Sequence, residues 1–436
     1  MRKPLWLLVS IVLLFVCTHP VVSQSLSGQD RDRGLIMLKT VRDDIRKNYY
    51  DPALRGIDLD TRTKMAEERI KQAKSNAEVF GIIAQVTMEF NDSHTIFLPP
   101  QRASRTEYGW QLQTFGDDSY VIAVKPKSDA EAKGMKPGDK VLAIDGVAPS
   151  SANLWVYQYL YNVLKPRQVV NVEVQSPGEQ PRELALTAKV QTGKVVFDLT
   201  SSHDLNKYWR DLEDEYRMGA HKFVEVGNDI VIWRLPSFDL SEDDVDEYVD
   251  KVKKAKTLIL DLRRNGGGAV ETLRRLVGNL FDRDITIGDM KLRKESKPML
   301  AKTRGDNGFK GRLIVLVDSN SGSASEVLAR VVQLEKRGTV IGDRTSGKVM
   351  RSRIYSHQIG LDTVIYYAVS VTDADLIMTD GKSLEGVGVV PDELVLPTAE
   401  DLRLQKDSVL ARAVAMAGAT IDPVEAGKLF PFKWKP

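Results

Sequence analysis

The spacing of hydrophobic residues changes twice along the chain and predicts three regions of different build. Over residues 24–105, apolar residues recur at helical spacing among charged ones. They are Leu35, Met37, Leu38, Val41, Ile45, Ile70, Val79, Ile82, Ile83 and Val86. The region ends in Asn91-Asp92-Ser93-His94-Thr95 and Pro99-Pro100, which cannot continue a helix. The pattern predicts a helical amino-terminal domain.

Residues 106–190 show short alternating runs that are separated by glycines. The runs Tyr120–Val124, Lys140–Ile144 and Val169–Val174 have the period of half-buried strands. From 191 to 415, continuous apolar runs alternate with amphipathic helices, which is typical of strands buried on both faces. We therefore predict a multi-domain α/β protein with a helical cap, a β-rich domain, an α/β core and a carboxy-terminal tail over 416–436.

The amino terminus has the build of a signal peptide. Positive charge in Met1-Arg2-Lys3 precedes an apolar run, Leu5 to Val16, that is too short to cross a bilayer comfortably. The small residues Val21 and Ser23 precede a cleavage position before Gln24. We expect residues 1–23 to direct export to the periplasm or the extracellular space, with no membrane span in the mature chain. An uncleaved membrane anchor is the alternative.

Composition excludes several classes of chemistry. The only cysteine, Cys17, lies in the predicted leader, so a mature chain would have neither a disulfide nor a cysteine nucleophile. Loss of Arg2 and Lys3 would reduce the 62 basic residues to 60, equal to the 60 acidic ones, which argues against nucleic-acid binding. No histidine pairing at metal-ligand spacing is found among His203, His221 and His357. No metal and no cofactor are predicted.

A serine-rich corner follows the apolar run Arg312–Val317 and leads into a predicted helix. Ser323 lies at this strand-to-helix corner, where the free amides and positive end of the helix would support a nucleophile and an oxyanion. A serine-rich helix cap without catalytic function is the alternative.

Three motifs accompany this corner in a fixed order. They are Asp261 to Gly268 with its triple glycine, Gly342 to Lys348, and Gly386 to Asp392. The ordered set resembles the C-terminal processing (tail-specific) serine proteases over nearly the whole mature chain. The resemblance implies a ClpP/crotonase-like α/β protease core over 191–415 with an inserted PDZ domain over 106–190.

The segment Ala130–Gly146 carries the resemblance to a PDZ domain, through its Gly138-Asp139 pair and Ile144-Asp145-Gly146 turn. In that resemblance, a carboxylate-binding loop captures the substrate terminus while the peptide adds a strand. The loop residues are Tyr108, Gly109, Trp110, Gln111 and Leu112. The alternative is that the module only packs against its neighbours.

The resemblance also assigns catalytic functions by position. The nucleophile falls on Ser323 and the family lysine on Lys348, while the amides of Gly267 and Ala324 would line the oxyanion hole. A lysine in a dry pocket loses much of its preference for charge, so its neutral amine can accept the serine proton. The sequence thus predicts a Ser323–Lys348 dyad.

Two positions leave the assignment open. Ser352 stands where the family usually has a glutamine that orients the lysine, and Ser352, Gln358 or Tyr355 could take that function. His94 is an alternative base, because some relatives with a tricorn-like core use a histidine from an amino-terminal domain.

We therefore expect an exported serine endopeptidase that cleaves unfolded or tail-exposed polypeptides. A catalytically decayed, PDZ-containing peptide-binding or scaffold protein is the alternative, and Ser352 is its best support. The partners are polypeptide substrates, and the sequence does not specify an oligomeric state.

Overall fold

The computed structural model describes residues 26–100, 104–192, 221–360 and 364–434. The predicted signal peptide, residues 1–23, and His203 lie outside these ranges. Within them, a helical layer, a β module and a two-sheet core follow one another, which confirms the predicted multi-domain α/β class. No helix in these ranges combines the length and the apolar character needed to cross a bilayer.

Three capped helices form the amino-terminal layer. The side chains of Ser27, Asp58 and Ser75 each accept a backbone N–H from the first turn of the helix that follows, which satisfies an amide that has no partner inside the helix. The helices are α1 (Gly28–Asn48), α2 (Leu59–Gln72) and α3 (Asn76–Met88), with a 3-10 turn at Leu54–Gly56 and a short strand, β1 (Ile96–Leu98), after them. Their buried faces share one apolar cluster.

The β module is a five-stranded antiparallel sheet in the order β3-β4-β5-β6-β7. A two-stranded ribbon, β2 with β8, stands where the chain enters and leaves the module. Within the described residues β3 pairs with β4 on one side alone, so its other edge is open. The elements are β2 (Ser104–Glu107), β3 (Trp110–Phe115), β4 (Asp118–Val124), α4 (Asp129–Ala132), β5 (Lys140–Ile144), α5 (Leu154–Tyr159) with a π-helical turn at Leu160–Leu164, β6 (Val169–Gln175), β7 (Arg182–Thr187) and β8 (Lys189–Thr192).

The main core sheet has six strands in the order β18-β15-β14-β11-β10-β9, all parallel except β9. Every residue of β11 is buried, because apolar clusters cover both faces of the sheet. The elements are β9 (Lys222–Val226), β10 (Ile230–Arg234), α6 (Glu242–Val252), β11 (Thr257–Asp261), α7 (Val270–Leu280), β14 (Arg312–Val317), α8 (Ala324–Leu334), β15 (Gly338–Gly342), β18 (Glu393–Leu394), α9 (Ala399–Arg403), α10 (Ser408–Met416) and α11 (Pro423–Leu429).

A second sheet joins the helical layer to the core. Its central strand, β17, pairs with β1, β12 and β16, all antiparallel, and β12 pairs in turn with β13. Because β1 follows the helical layer directly, this pairing fixes the turn that contains His94 against the core. The strands are β12 (Ile285–Leu292), β13 (Ser296–Ala301), β16 (Arg351–Ile359) and β17 (Ile365–Met378), with a 3-10 turn at Gly305–Asn307.

Candidate active site

Three loops meet at one edge of the main sheet. The glycine loop (residues 262–268) follows β11, the serine loop (318–323) follows β14 and the lysine loop (343–350) follows β15. These three strands are adjacent and parallel, so their carboxyl ends lie side by side. The topology therefore brings the three motifs together although they are far apart in sequence.

Ser323 holds a strained backbone conformation at the start of α8. Its φ of +52° and ψ of −118° are rarely adopted by residues that carry a side chain. The hydroxyls of Ser321 and Ser325 donate to the carbonyl oxygens of Leu262 and Asn265 at 2.9 and 2.8 Å. These two neighbours fasten the serine loop to the glycine loop, which leaves Ser323 as the candidate nucleophile.

The glycine loop approaches Ser323 so closely that a side chain cannot fit between them. A Cβ on Gly267 would lie 2.5 Å from the Cβ of Ser323, and the φ of Gly267 is +104°. The N–H of Gly267 donates to Asn265 Oδ1 at 2.8 Å, whereas the N–H of Ala324 belongs to the first turn of α8, where amides have no acceptor inside the helix. Of the two predicted oxyanion donors, Ala324 is thus the better placed.

The carboxylate of Glu326 joins the serine loop to the lysine loop. Its Oε1 accepts the hydroxyl of Thr345 at 2.6 Å and the N–H of Gly347 at 2.7 Å, and its Oε2 accepts the N–H groups of Lys348 and Ser323 at 2.9 and 3.0 Å. Burial raises the pKa of the Glu326 carboxyl, and these four hydrogen bonds oppose the shift. The function of Glu326 as this link was not predicted from the sequence.

Lys348 lies directly beside Ser323. Its carbonyl oxygen accepts the N–H of Ser323 at 2.8 Å, and its side chain is half-buried. The contact places the predicted dyad residues in adjoining loops.

A second candidate base, His94, reaches the same loops from the amino-terminal layer. Its Nδ1 lies 2.5 Å from the hydroxyl oxygen of Ser93, and Ser93 donates that hydroxyl to Glu385 Oε2 at 3.1 Å. Desolvation of the ring is the main cause that lowers the pKa of His94, and the positive charge of Lys348 lowers it further, while Glu385 and Asp92 act in the opposite direction. The net effect favours the neutral form of the imidazole.

Glu385 completes this arrangement and was missed by the sequence analysis. Its Oε2 also accepts the backbone N–H groups of Val349 and Met350 at 2.9 and 3.3 Å, directly after Lys348. One carboxylate thus touches both the turn of His94 and the lysine loop. The only signal in the sequence was its place immediately before the motif Gly386 to Asp392.

The five predicted peptide-binding residues line one groove beside the open edge of β3. The groove lies between residues 106–112 and the face of α5, with Tyr157 and Tyr161 among its other lining residues. The side-chain amide oxygen of Gln111, Oε1, is buried in its wall and has no hydrogen-bond partner within the described part of the chain. An open strand edge beside a helix is the geometry that admits an added peptide strand.

Residues 229–395 match the family described as "Peptidase family S41". These residues therefore form a peptidase S41 domain. It is 26% identical over 362 residues to the tail-specific protease of Haemophilus influenzae, covering 77% of this chain and 48% of that protein, so it spans about half of that relative. It is also 26% identical over 379 residues to the chloroplastic C-terminal processing peptidase of Tetradesmus obliquus, covering 81% and 76%. The predicted family is confirmed.

A solved structure shows the same fold as this S41 chain. The crystal structure of mature CPAF aligns with a TM-score of 0.65 and 14% sequence identity, covering 86% of this chain and 95% of the other. At that identity the similarity establishes the fold alone.

The remaining predicted site residues of the S41 chain lie on β16. Ser352 is at the start of this strand, close in sequence to the lysine loop. Gln358 lies six residues further along, about 20 Å in an extended strand, and pairs with Tyr366. This position argues against Gln358 as the group that orients Lys348 and leaves Ser352 and Tyr355 as the candidates.

The other described histidines have structural contacts. His357 Nε2 lies 2.5 Å from Asp44 Oδ2, and His221 packs on the ring of Tyr248 at 4.8 Å. Within the described ranges, no group of three or more His, Cys, Asp and Glu side chains is arranged to hold a metal ion.

Proposed function

We propose that this S41 chain is a serine endopeptidase in which Ser323 cleaves unfolded or tail-exposed polypeptides. The observation that carries the proposal is the strained backbone of Ser323 between a glycine loop without side chains and the first amides of α8. A strained serine at a helix start is held clear of its own strand, where a substrate carbonyl can reach it.

The reaction follows from these groups. The oxygen of Ser323 attacks the carbonyl carbon of the scissile peptide bond while a base accepts the hydroxyl proton. The N–H of Ala324 and the positive end of α8 stabilise the oxyanion, with the Gly267 amide beside them. The base then gives its proton to the leaving amine, and a water molecule hydrolyses the acyl-enzyme by the same steps in reverse order.

The contacts favour His94 as the base. Ser93 donates its hydroxyl proton to Glu385, so its oxygen accepts the proton of His94 Nδ1. This tautomer leaves Nε2 of His94 unprotonated and able to accept the proton of Ser323. In this arrangement Glu385 holds the hydroxyl of Ser93, and Ser93 orients the imidazole of His94. A base that is oriented by a further group is the usual arrangement for activating a serine nucleophile.

Lys348 is the alternative base from the sequence. Its backbone contact with Ser323 supports it, and the effect of its charge on the pKa of His94 shows that the two side chains are close enough to influence each other. Two neighbouring cations repel, so protonation of one disfavours protonation of the other. A charged Lys348 would therefore help to keep His94 neutral.

The β module supports a more specific proposal about substrates. An extended segment with a free carboxyl terminus would add as a strand to β3 and present its upstream part to Ser323. Export to the periplasm or the extracellular space is proposed from the leader in the sequence, and the tail-specific and C-terminal processing relatives support a substrate with an exposed tail.

The test is digestion of casein by residues 24–436 beside the variants Ser323→Ala, His94→Gln and Lys348→Met, with circular dichroism to verify folding. We expect no cleavage by Ser323→Ala or His94→Gln, and residual cleavage by Lys348→Met. His357→Gln is the matched histidine control and should cleave normally.

Loss of activity in Lys348→Met with normal activity in His94→Gln would establish the dyad instead. Cleavage that does not depend on Ser323 would contradict both, and a folded wild-type chain without activity would favour the peptide-binding alternative.

A further inference from the structure

The carboxy-terminal tail connects the protease core to the peptide groove. Phe430 is buried on one face of the main sheet, with its ring 5.8 Å from the guanidinium carbon of Arg234. The ring of Phe432 lies 4.9 Å from the guanidinium carbon of Arg264, in the glycine loop. Trp434, two residues further on, lines the groove beside β3. Alternate residues of the tail thus contact successive parts of the molecule.

Trp434 and the predicted carboxylate-binding loop line the same groove. The Nζ of Lys125 is 5.9 Å from the centre of the Trp434 ring and 2.6 Å from a carboxylate oxygen of Glu107, another residue of the groove wall. The backbone N–H of Lys125 donates to the carbonyl oxygen of Gly109, in the predicted carboxylate-binding loop. The indole therefore stands against the loop itself and not on a distant surface.

The attachment of the tail weakens toward its end. Phe430 is 8% exposed and belongs to an apolar cluster of the core, whereas Trp434 is half-buried. The ring of Trp434 contacts Lys125 and Phe432, and the ring centres of Phe432 and Trp434 are 5.0 Å apart. Single cation–π and aromatic contacts at partly exposed sites are weak. Release of Trp434 from the groove would therefore not require release of Phe430.

We propose that Trp434 is an intramolecular occupant of the peptide groove, which an incoming polypeptide terminus must displace. This proposal rests on the proposed function of the groove as a peptide site. A site that its own chain covers for part of the time binds external ligands more weakly, in proportion to the fraction of time it is open. The tail would restrict capture to peptides that bind well enough to replace the indole.

Displacement of the tail would also change a contact with the glycine loop of the active site. Phe432 packs on Arg264, whose backbone N–H donates to Asp318 Oδ1 at 2.9 Å. Arg264 belongs to the glycine loop and Asp318 to the serine loop. The tail therefore contacts both the peptide groove, through Trp434, and the glycine loop, through Phe432.

The test measures peptide binding in the Ser323→Ala background, so that cleavage cannot interfere. The probe is a fluorescein-labelled decapeptide with a carboxy-terminal valine, and the readout is its Kd from fluorescence anisotropy. Trp434→Ala should lower the Kd about two- to fivefold, the effect of losing one weak cation–π contact. Lys433→Ala, an exposed neighbour in the same tail, is the matched control and should leave the Kd unchanged.

A second measurement uses the peptide Phe-Pro-Phe-Lys-Trp, the sequence of residues 430–434, added in trans. It should compete with the probe on the Trp434→Ala chain. An unchanged or higher Kd for Trp434→Ala would overturn the proposal, because Trp434 would then be inert or a fixed wall of the binding site. Absence of probe binding in every variant would overturn it together with the proposed capture of peptides, whereas a failure of the proposed catalysis would leave these binding results unaffected.

Discussion

Ser93 and Glu385 are joined by two hydrogen bonds across 292 residues of sequence, from the Ser93 N–H to Oε1 at 2.7 Å and from its hydroxyl to Oε2 at 3.1 Å. The pair ties the turn after α3 to the loop that precedes the last sequence motif of the core. Because His94 is the next residue, its position relative to Ser323 depends on this pair. On the proposed function with His94 as the base, the amino-terminal layer supplies a catalytic group.

Glu385→Gln is expected to lower kcat/KM by about 10²–10⁴-fold, the range for losing an oriented general base. The amide keeps the size of the carboxylate but removes its charge, so it stabilises the imidazolium that forms in the reaction less well. The measurement is hydrolysis of a fluorogenic peptide by residues 24–436.

Glu393→Gln is the matched control for this substitution, since the Glu393 carboxylate is paired with Arg412 of α10. It should retain the wild-type kcat/KM. Equal rates for Glu385→Gln and wild type would show that Glu385 has no catalytic importance.

The pH dependence of kcat/KM distinguishes the two bases. Since desolvation lowers the pKa of His94, we expect activity to fall only as the pH drops below about 6.5, the usual pKa of the side chain. Activity falls at low pH because protonated His94 cannot accept the proton of Ser323. In Lys348→Met, loss of the positive charge removes one cause that lowers the pKa of His94, so the acid limb of the profile should move to higher pH.

A profile from pH 4.5 to 9 tests this directly. Activity that rises only in the alkaline range would identify Lys348 as the base, because a lysine needs higher pH to lose its proton. An acid limb that Lys348→Met leaves in place would show that the two side chains do not interact.

The sequence allowed the core site to be predicted because its motifs follow buried strands. The family resemblance of these motifs placed Gly267 and Ser323 in one site, and the structure gives the physical reason: β11 and β14 are neighbouring parallel strands, so the residues after them lie at one edge. No such rule relates His94 to Glu385. Their meeting depends on the pairing of β1 with β17, a second sheet whose strands carry no distinguishing pattern. Hydrogen bonds between side chains far apart in sequence follow from the tertiary fold alone.

Gly267→Ala is expected to reduce kcat/KM by about 10²-fold or more. The added methyl group would lie 2.5 Å from the Cβ of Ser323 and 3.0 Å from the amide nitrogen of Ala324, so the nucleophile or the oxyanion donor has to move. Displacements of about 1 Å in an active site have effects of this size. The measurement is kcat/KM on the same fluorogenic peptide, with circular dichroism as the check on folding.

The same loop offers a matched control. Gly266 is exposed, and a Cβ there would meet no atom within 4 Å, so Gly266→Ala should retain near wild-type activity. Comparable activities of the two alanine variants would mean that the close approach of Gly267 to Ser323 is unimportant for catalysis.

The last prediction concerns two glutamines of β3 that differ in what they contact. Gln113 Nε2 donates to Asp318 Oδ2 at 2.7 Å, and both side chains are buried between the β module and the serine loop. Gln111 lies two residues earlier and lines the peptide groove.

Gln113→Leu leaves a buried carboxylate oxygen of Asp318 without that donor. The expected loss is about 1–3 kcal/mol, in the loop that carries the nucleophile. We expect it to lower kcat, whereas Gln111→Leu should change KM, because Gln111 lines the groove. Steady-state kinetics on a polypeptide substrate separate the two effects, and thermal denaturation shows whether either variant has lost its fold. If both substitutions changed only KM, β3 would contribute to binding alone, and the hydrogen bond to Asp318 would not support the geometry of Ser323.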